Sequence, residues 1–198
     1  MGDVWYGGTT KNPWNLEQGS SGSSAGSAST TSAGLVPFAL GTETLGSIVS
    51  PATRNGVTGL RPTFGRVSRA GAMALSWSMD KIGPITRNAF DCALVFDAIR
   101  GEDNIDLTVE DHPFNYKGKA DLSKLRIGYL KPYFDRNRPN QKENDDKSLE
   151  VLRSLGAELI PVEWVSDMPF SAMQAILSAE ASASFDELTR SNRDTLLV

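Results

Sequence analysis

From Gly19 to Gly34 the chain uses only glycine, serine, alanine and threonine, sixteen residues in a row, and the residues that follow include Leu35, Val36, Phe38, Ala39 and Leu40. A run so poor in side chain offers little to bury, which leaves it two physical uses. One is a flexible tether between folded units. The other is a wall made of small residues because backbone must approach something closely, with glycines supplying unusual dihedrals and serines supplying hydroxyls. The tether fits its surroundings poorly: too little chain precedes it to make a folded unit, and the apolar stretch follows without a polar break. That stretch suits a short buried strand. It leads into the glycine-bracketed loop Gly41-Thr42-Glu43-Thr44-Leu45-Gly46-Ser47, followed by Pro51.

Further elements follow from pattern. Residues 56–79 alternate Gly, Pro, Thr and single apolar residues, as short strands and turns do. Asn88 is placed to cap a helix whose third position is Asp91, with Phe90, Ala93, Leu94, Phe96 and Ile99 as an apolar face and Gly101 as its stop. Residues 102–121 are acidic and turn-rich, a surface excursion. Leu125 to Leu130 and Glu158 to Trp164 are strand candidates. Between them, Asp146 to Leu155 predicts a helix with Leu149, Leu152 and Leu155 inward and Gly156 at its end. Phe170 to Leu188 predicts one long helix carrying Met173, Ile176, Leu177, Ala181 and Phe185. Strand and helix alternating in this order argue an α/β fold with some parallel pairing.

Charge and composition narrow the function. Twenty basic against 24 acidic side chains leave a net charge of −4 with no basic cluster, so a nucleic-acid surface is not indicated. The apolar stretch near Leu35 to Leu40 is too short to span a bilayer, and the N-terminus lacks the pattern of a signal peptide; a cytoplasmic protein is the expectation. Cys92 and His112 are each the only residue of their type, which excludes an internal disulfide and multi-cysteine or multi-histidine metal sites.

Several separated segments carry a resemblance. Asn12-Pro13-Trp14-Asn15, Gly22-Ser23-Ser24-Ala25-Gly26-Ser27-Ala28, Gly41 to Ile48, Gly59-Leu60-Arg61-Pro62-Thr63-Phe64-Gly65-Arg66-Val67-Ser68 and Asp80-Lys81-Ile82-Gly83-Pro84-Ile85 resemble the amidase signature, in order and at matching separations. The resemblance implies an amidase signature fold, with a mixed β-sheet flanked by α-helices, of which residues 1–198 form the central part of a single domain truncated at both ends. It also implies a Ser–Ser–Lys relay. Carried over residue by residue, Ser47 is the nucleophile and Ser23 the bridge, held after a cis peptide at Gly22–Ser23. The backbone N–H groups of Thr44, Leu45 and Gly46 fall where the family places its oxyanion hole.

The chemistry so implied is amide hydrolysis through an acyl-enzyme. A serine hydroxyl attacks well only as a base removes its proton, and a neutral lysine can do this through an intervening hydroxyl. The expected partner is a small-molecule amide substrate, with no cofactor, no metal, no nucleic acid and no membrane; a homo-oligomer is left open. Rival readings are the glutaminase-type subunit of a tRNA-dependent amidotransferase, and an amidase-fold binding module without catalysis.

Around the nucleophile the chain departs from the family pattern, with Glu43 for Asp, Leu45 for Gly and Val49 for Arg. Leu45 is expected to narrow the approach to Ser47, and Val49 to remove an ordering charge. The family's lysine falls upstream of the first serine, at a position outside this chain, so the chain is read as a fragment; Lys11 and Lys81 do not match that position. Bland readings are preferred elsewhere: His112 as a surface histidine, Asp103, Asp106, Glu110 and Asp111 as a solvated acidic loop, Cys92 as buried packing, and Trp77 and Met79 as core or pocket wall.

Overall fold

Two short antiparallel hairpins open the chain. β1 (Val4–Trp5) pairs with β2 (Gly8–Thr9), and β3 (Lys11–Asn12) with β4 (Asn15–Gly19). The computed structural model describes residues 2–136, 141–164 and 168–196. In the second hairpin Asn12 Oδ1 accepts the N–H of Trp14 at 3.0 Å, a side chain standing in for backbone in the turn. The same Asn12 donates Nδ2 to the carbonyl of Arg54, and Trp14 donates Nε1 to that of Asn55.

The serine-rich run folds as helix α1 (Ala25–Ser32) after an irregular approach. Neither a tether nor a wall required a helix, and periodicity gives no sign of one. Its buried residues, Ala25, Ala28 and Thr31, differ from their neighbours only by a methyl or a hydroxyl. Serine and threonine form helices poorly because their hydroxyls compete for backbone. Here they are absorbed within the helix: Thr30 Oγ1 donates to Gly26 O and Thr31 Oγ1 to Ser27 O, both at 2.8 Å.

β5 (Phe38–Glu43), helix α2 (Val49–Asn55), β6 (Thr58–Gly59) and β7 (Lys81–Thr86) follow, the strands forming one antiparallel sheet in the order β5-β7-β6. The strand expected at Leu35–Leu40 exists, but it is not buried. Phe38 is 46% and Leu40 45% exposed, and Leu35 precedes the strand and is exposed too. The reason is the pleat: β5 is an edge strand, and only its other face, through the buried Gly41 and Glu43, is covered. Ile48, Ile85 and Ala28 are fully buried together with Val57 against them, so the core lies between the sheet and α1 and α2. Pro84 sits in the central strand opposite Leu40, whose carbonyl turns away to the hydroxyl of Ser27, and its own carbonyl accepts the Leu60 N–H at 2.9 Å just past the end of β6, so its missing donor falls beyond that short strand.

Helix α3 (Ala89–Ile99) begins as expected, with Asn88 Oδ1 accepting the Asp91 N–H at 2.9 Å. Its buried stripe is Cys92, Ala93 and Phe96; Phe90 and Leu94 are exposed, contrary to the expected face. The Cys92 thiol sits 3.1 Å from Thr86 Oγ1 of β7, which sets the rotation of the helix, and Phe90 turns instead toward Tyr116 of the acidic excursion.

The chain divides into two compact units, Met1–Tyr116 with Ser171–Val198, and Lys117–Phe170. In the second, β8 (Arg126–Leu130) and a short helix α4 (Lys131–Phe134) lead to helix α5 (Lys142–Ser154). The strand β9 (Glu158–Val162) then pairs in parallel with β8. The expected parallel pairing is therefore present, while α5 starts earlier than its leucines suggest. Leu149 is buried, but Leu155 is exposed, because it caps the helix beyond its last turn, with Gly156 left-handed after it.

The expected long C-terminal helix is two: α6 (Phe170–Ser184) and α7 (Asp186–Arg190), broken at Phe185. Met173 and Ile176 are exposed, and the buried residue of α6 is Glu180. An antiparallel sheet, a parallel strand pair and helices beside both make the architecture mixed α/β.

Candidate active site

The loop from Glu43 to Val49 is built around a buried carboxylate. Glu43 Oε2 accepts the N–H groups of Ile48 at 2.7 Å and Val49 at 3.0 Å, and so folds the chain back on itself at the start of α2. Burying a carboxylate is costly unless it is hydrogen-bonded, and these two donors, with the Arg61 guanidinium 3.8 Å from Oε1, meet that demand. Within the fold-back, Gly46 has φ +94°, a left-handed turn open to glycine. The N–H groups of Thr44, Leu45, Gly46 and Ser47 donate to no acceptor among the described residues. These four donors are consecutive, and the last belongs to the half-buried Ser47.

Ser23 belongs to the approach to α1, and the peptide Gly22–Ser23 is cis. The next residue ties this segment to the loop: Ser24 N–H donates to the carbonyl of Ser47 at 3.1 Å. Ser24 Oγ also bonds Thr42 on the free edge of β5, donating to its carbonyl and accepting its N–H, both at 3.1 Å. Nearby in the chain, Ser21 Oγ lies 2.8 Å from Ser50 Oγ. Close approach is enforced by glycine: a Cβ at Gly41 would lie 2.7 Å from Ser24 Oγ, and one at Gly22 would lie 1.9 Å from the carbonyl oxygen of Gly2. Ser23 is exposed and lines a cavity of about 520 Å³ together with Asp3, Trp5 and Thr10.

The segments carrying Ser23 and Ser47 are therefore adjacent, and the run is a folded element rather than a tether. No hydrogen bond joins the two hydroxyls to each other or to a lysine among the described residues. Leu45 points outward, 54% exposed, and Val49 is exposed as well; Val49 contributes through its backbone, not its side chain.

A second loop grips the first. Thr44 Oγ1 donates to Asp80 Oδ1 at 2.5 Å, and Asp80 Oδ2 accepts the N–H groups of Leu75 at 2.8 Å and Ser76 at 3.0 Å. Lys81 Nζ donates to the carbonyls of Thr44 and Met79; burial, then the charge of Arg61, pushes its pKa below the ordinary lysine value. Asp80, Lys81 and Thr42 also line a cavity of about 210 Å³ walled by Met73, Trp77 and Ile82, so Trp77 is a pocket wall. Neither serine lines that cavity.

Sequence reasoning missed Glu180. Its Oε2 accepts Ser76 Oγ at 2.5 Å and Ser78 N–H at 3.1 Å, and its Oε1 accepts Ser78 Oγ at 2.7 Å. A signal was available: Glu180 falls on the same helical stripe as Met173, Ile176 and Leu177, where a lone carboxylate is out of place unless something receives it.

The acidic excursion uses its carboxylates internally. Asp106 holds Arg69 at 2.9 Å, and that bond keeps its carboxyl well below the usual range; Asp103 accepts Ser68 Oγ and two backbone N–H groups. His112 is exposed and pairs with Glu110. Burial pushes the Cys92 thiol up, in keeping with a packing role.

Comparison with known proteins decides the family. Residues 3–196 match the family described as Amidase. The chain belongs to the amidase family. It is 44% identical to a glutamyl-tRNA(Gln) amidotransferase subunit of Roseiflexus castenholzii over 179 residues, covering 88% of this chain and 36% of that relative. The corresponding glutamyl-tRNA(Gln) amidotransferase subunit of Thermotoga maritima superposes with a TM-score of 0.80 at 34% identity, over 92% of this chain and 42% of the other. The peptide amidase of Stenotrophomonas maltophilia does so with 0.78 at 36% identity, over 94% and 40%. The mixed α/β architecture is therefore the amidase signature fold. This chain spans little more than a third of the length of the curated relatives it matches.

Proposed function

We propose that this amidase-family chain carries the nucleophile and relay of a serine amidohydrolase, with Ser47 attacking an amide carbonyl carbon. The observation that carries the reading is the Ser24 N–H bond to the Ser47 carbonyl, which brings the relay segment beside the nucleophile loop. As Ser47 Oγ attacks, its proton passes to Ser23 Oγ, and Ser23 yields its own to a neutral amine base, a lysine by family resemblance. The carbonyl oxygen becomes an oxyanion facing the free N–H groups of Thr44, Leu45 and Gly46. Losing one such donor raises the barrier by ~3 kcal/mol in comparable sites. The C–N bond then breaks, the proton returns along the relay to the leaving nitrogen, and water releases the acid from the acyl-serine by the reverse route. No cofactor enters this scheme.

In the natural polypeptide that carries this sequence, a fluorophosphonate probe is expected to label Ser47, and Ser47→Ala to abolish both labelling and amide hydrolysis. Undiminished labelling of that variant refutes the assignment.

A narrower reading is that the amide is glutamine's and the ammonia serves a partner protein. Its support is the amidotransferase name shared by the Roseiflexus and Thermotoga relatives. Ammonia release from glutamine that rises when co-purifying partners are present supports it; hydrolysis of peptide amides in preference to glutamine, by protein purified alone, favours the general amidase.

A further inference from the structure

We infer that Glu180 is a positioning residue for the nucleophile loop, acting through the loop of residues 75–80; this rests on the assignment of Ser47 as nucleophile. The connection is continuous. Glu180 receives Ser76 Oγ, Ser78 Oγ and Ser78 N–H, fastening a tight turn to α6. The turn is closed by the Ser76 carbonyl, which accepts the Asp80 N–H at 2.9 Å and the Met79 N–H at 3.2 Å. Asp80 then bonds back to the N–H groups of Leu75 and Ser76 with one oxygen and receives Thr44 Oγ1 with the other. Thr44 begins the row of free N–H groups that ends at Ser47.

Each link leaves little slack. Ser76 is fully buried and Glu180 nearly so, and a buried carboxylate accepting three donors cannot shift without leaving one of them unmet. Ser184 of the same helix adds a bond from its hydroxyl to the Leu75 carbonyl at 3.2 Å. The alternative, that Glu180 merely anchors α6, does not account for Asp80 dividing its two oxygens between the Glu180-held turn and Thr44. Backbone donors stabilise an oxyanion only if they are held where the charge develops, so a fixed Thr44 matters more to the reaction than to substrate binding.

A double-mutant cycle on the natural polypeptide tests this, read as the rate of Ser47 labelling and as kcat and KM for amide hydrolysis. Glu180→Gln is expected to lower both rates about tenfold with KM within about twofold, and Thr44→Val by more. In the Thr44→Val background, adding Glu180→Gln is expected to cost less than about twofold, since the path is already cut. Additive losses, or a wild-type rate in Glu180→Gln, overturn the inference. Ser76→Ala, which removes one link and keeps the charge, is the second variant and should show the same non-additivity with Thr44→Val if Glu180→Gln does not fold. Labelling that persists in Ser47→Ala would instead sink the nucleophile assignment, an outcome read separately from the cycle.

Discussion

The serine-rich region, from Gly19 to Gly59, and the strand–helix–strand of the second unit, from Arg126 to Val162, are held together by different means. In the second unit helix α5 buries Leu149 and carries surface ion pairs one helical turn apart, such as Glu143 with Lys147 at 2.7 Å. In the serine-rich region Thr31, Glu43, Ile48, Pro51 and Asn55 are fully buried, three of them polar. Ser24, Glu43 and Asn55 bond to backbone elsewhere in the sequence. The difference teaches where precision resides: an apolar contact tolerates small shifts, whereas a hydrogen bond to backbone fixes an atom to within a few tenths of an ångström. A loop that must hold consecutive free N–H groups needs the second kind of support.

That contrast can be broken by substitution. Asn55 donates Nδ2 to the carbonyls of Ser20 at 2.8 Å and Pro51 at 2.7 Å, and its Oδ1 is buried with no partner among the described residues. Asn55→Ala leaves the Ser20 carbonyl without this donor and should cost about 2 kcal/mol of unfolding free energy in a denaturant titration. A loss no larger than that of a surface change would place the region's stability elsewhere. Gly41→Ala pushes a methyl against Ser24 and should cost on the order of 1 to 2 kcal/mol, with a slowed Ser47 labelling rate, because it parts the two serine segments. Gly41→Ala with unchanged labelling would show that the contact at Ser24 does not govern the site.

Acid sharpens the comparison at a third place. Arg69 holds Asp106 below its ordinary value of 3.8, so the folded state binds that proton less readily than the unfolded chain. The pair's contribution is complete above about pH 5 and declines as pH falls through and below the unfolded value. Asp106→Asn should therefore lose stability at neutral pH and show a shallower acid decline than wild type; parallel pH–stability curves would contradict this. The smallest effect is expected in the second unit. Glu143→Gln should change stability by less than about 0.5 kcal/mol, and more would mean its surface pairs act as a network.

Much of the second unit was legible because apolar residues recur there at a regular spacing. Leu149 and Leu152 mark α5, and the strands either side of it carry β-prone residues at the right distance. The Asn88 cap was equally plain, since its partner Asp91 is local. Helix α1 was not, because alanine, serine and threonine present much the same bulk to core and solvent, and no periodicity can arise from residues that hardly differ. The exposed Phe38 and Leu40 were misread for a related reason: an apolar run states what could be buried, and position at a sheet edge decides what is.

For the site, the sequence alone supplied its motifs, with Ser23 and Ser47 in family register and the cis peptide at Gly22–Ser23 among what they implied. Local signals of this kind survive in one dimension because each is a short segment with its own backbone demands. What only the tertiary structure decided is the long-range bonding: Ser24 to Ser47, Thr44 to Asp80, and Glu180 to Ser76 and Ser78 across a hundred residues. A hydrogen bond between distant residues leaves no periodic trace in the chain; it exists only once folding has brought donor and acceptor within about 3 Å of each other.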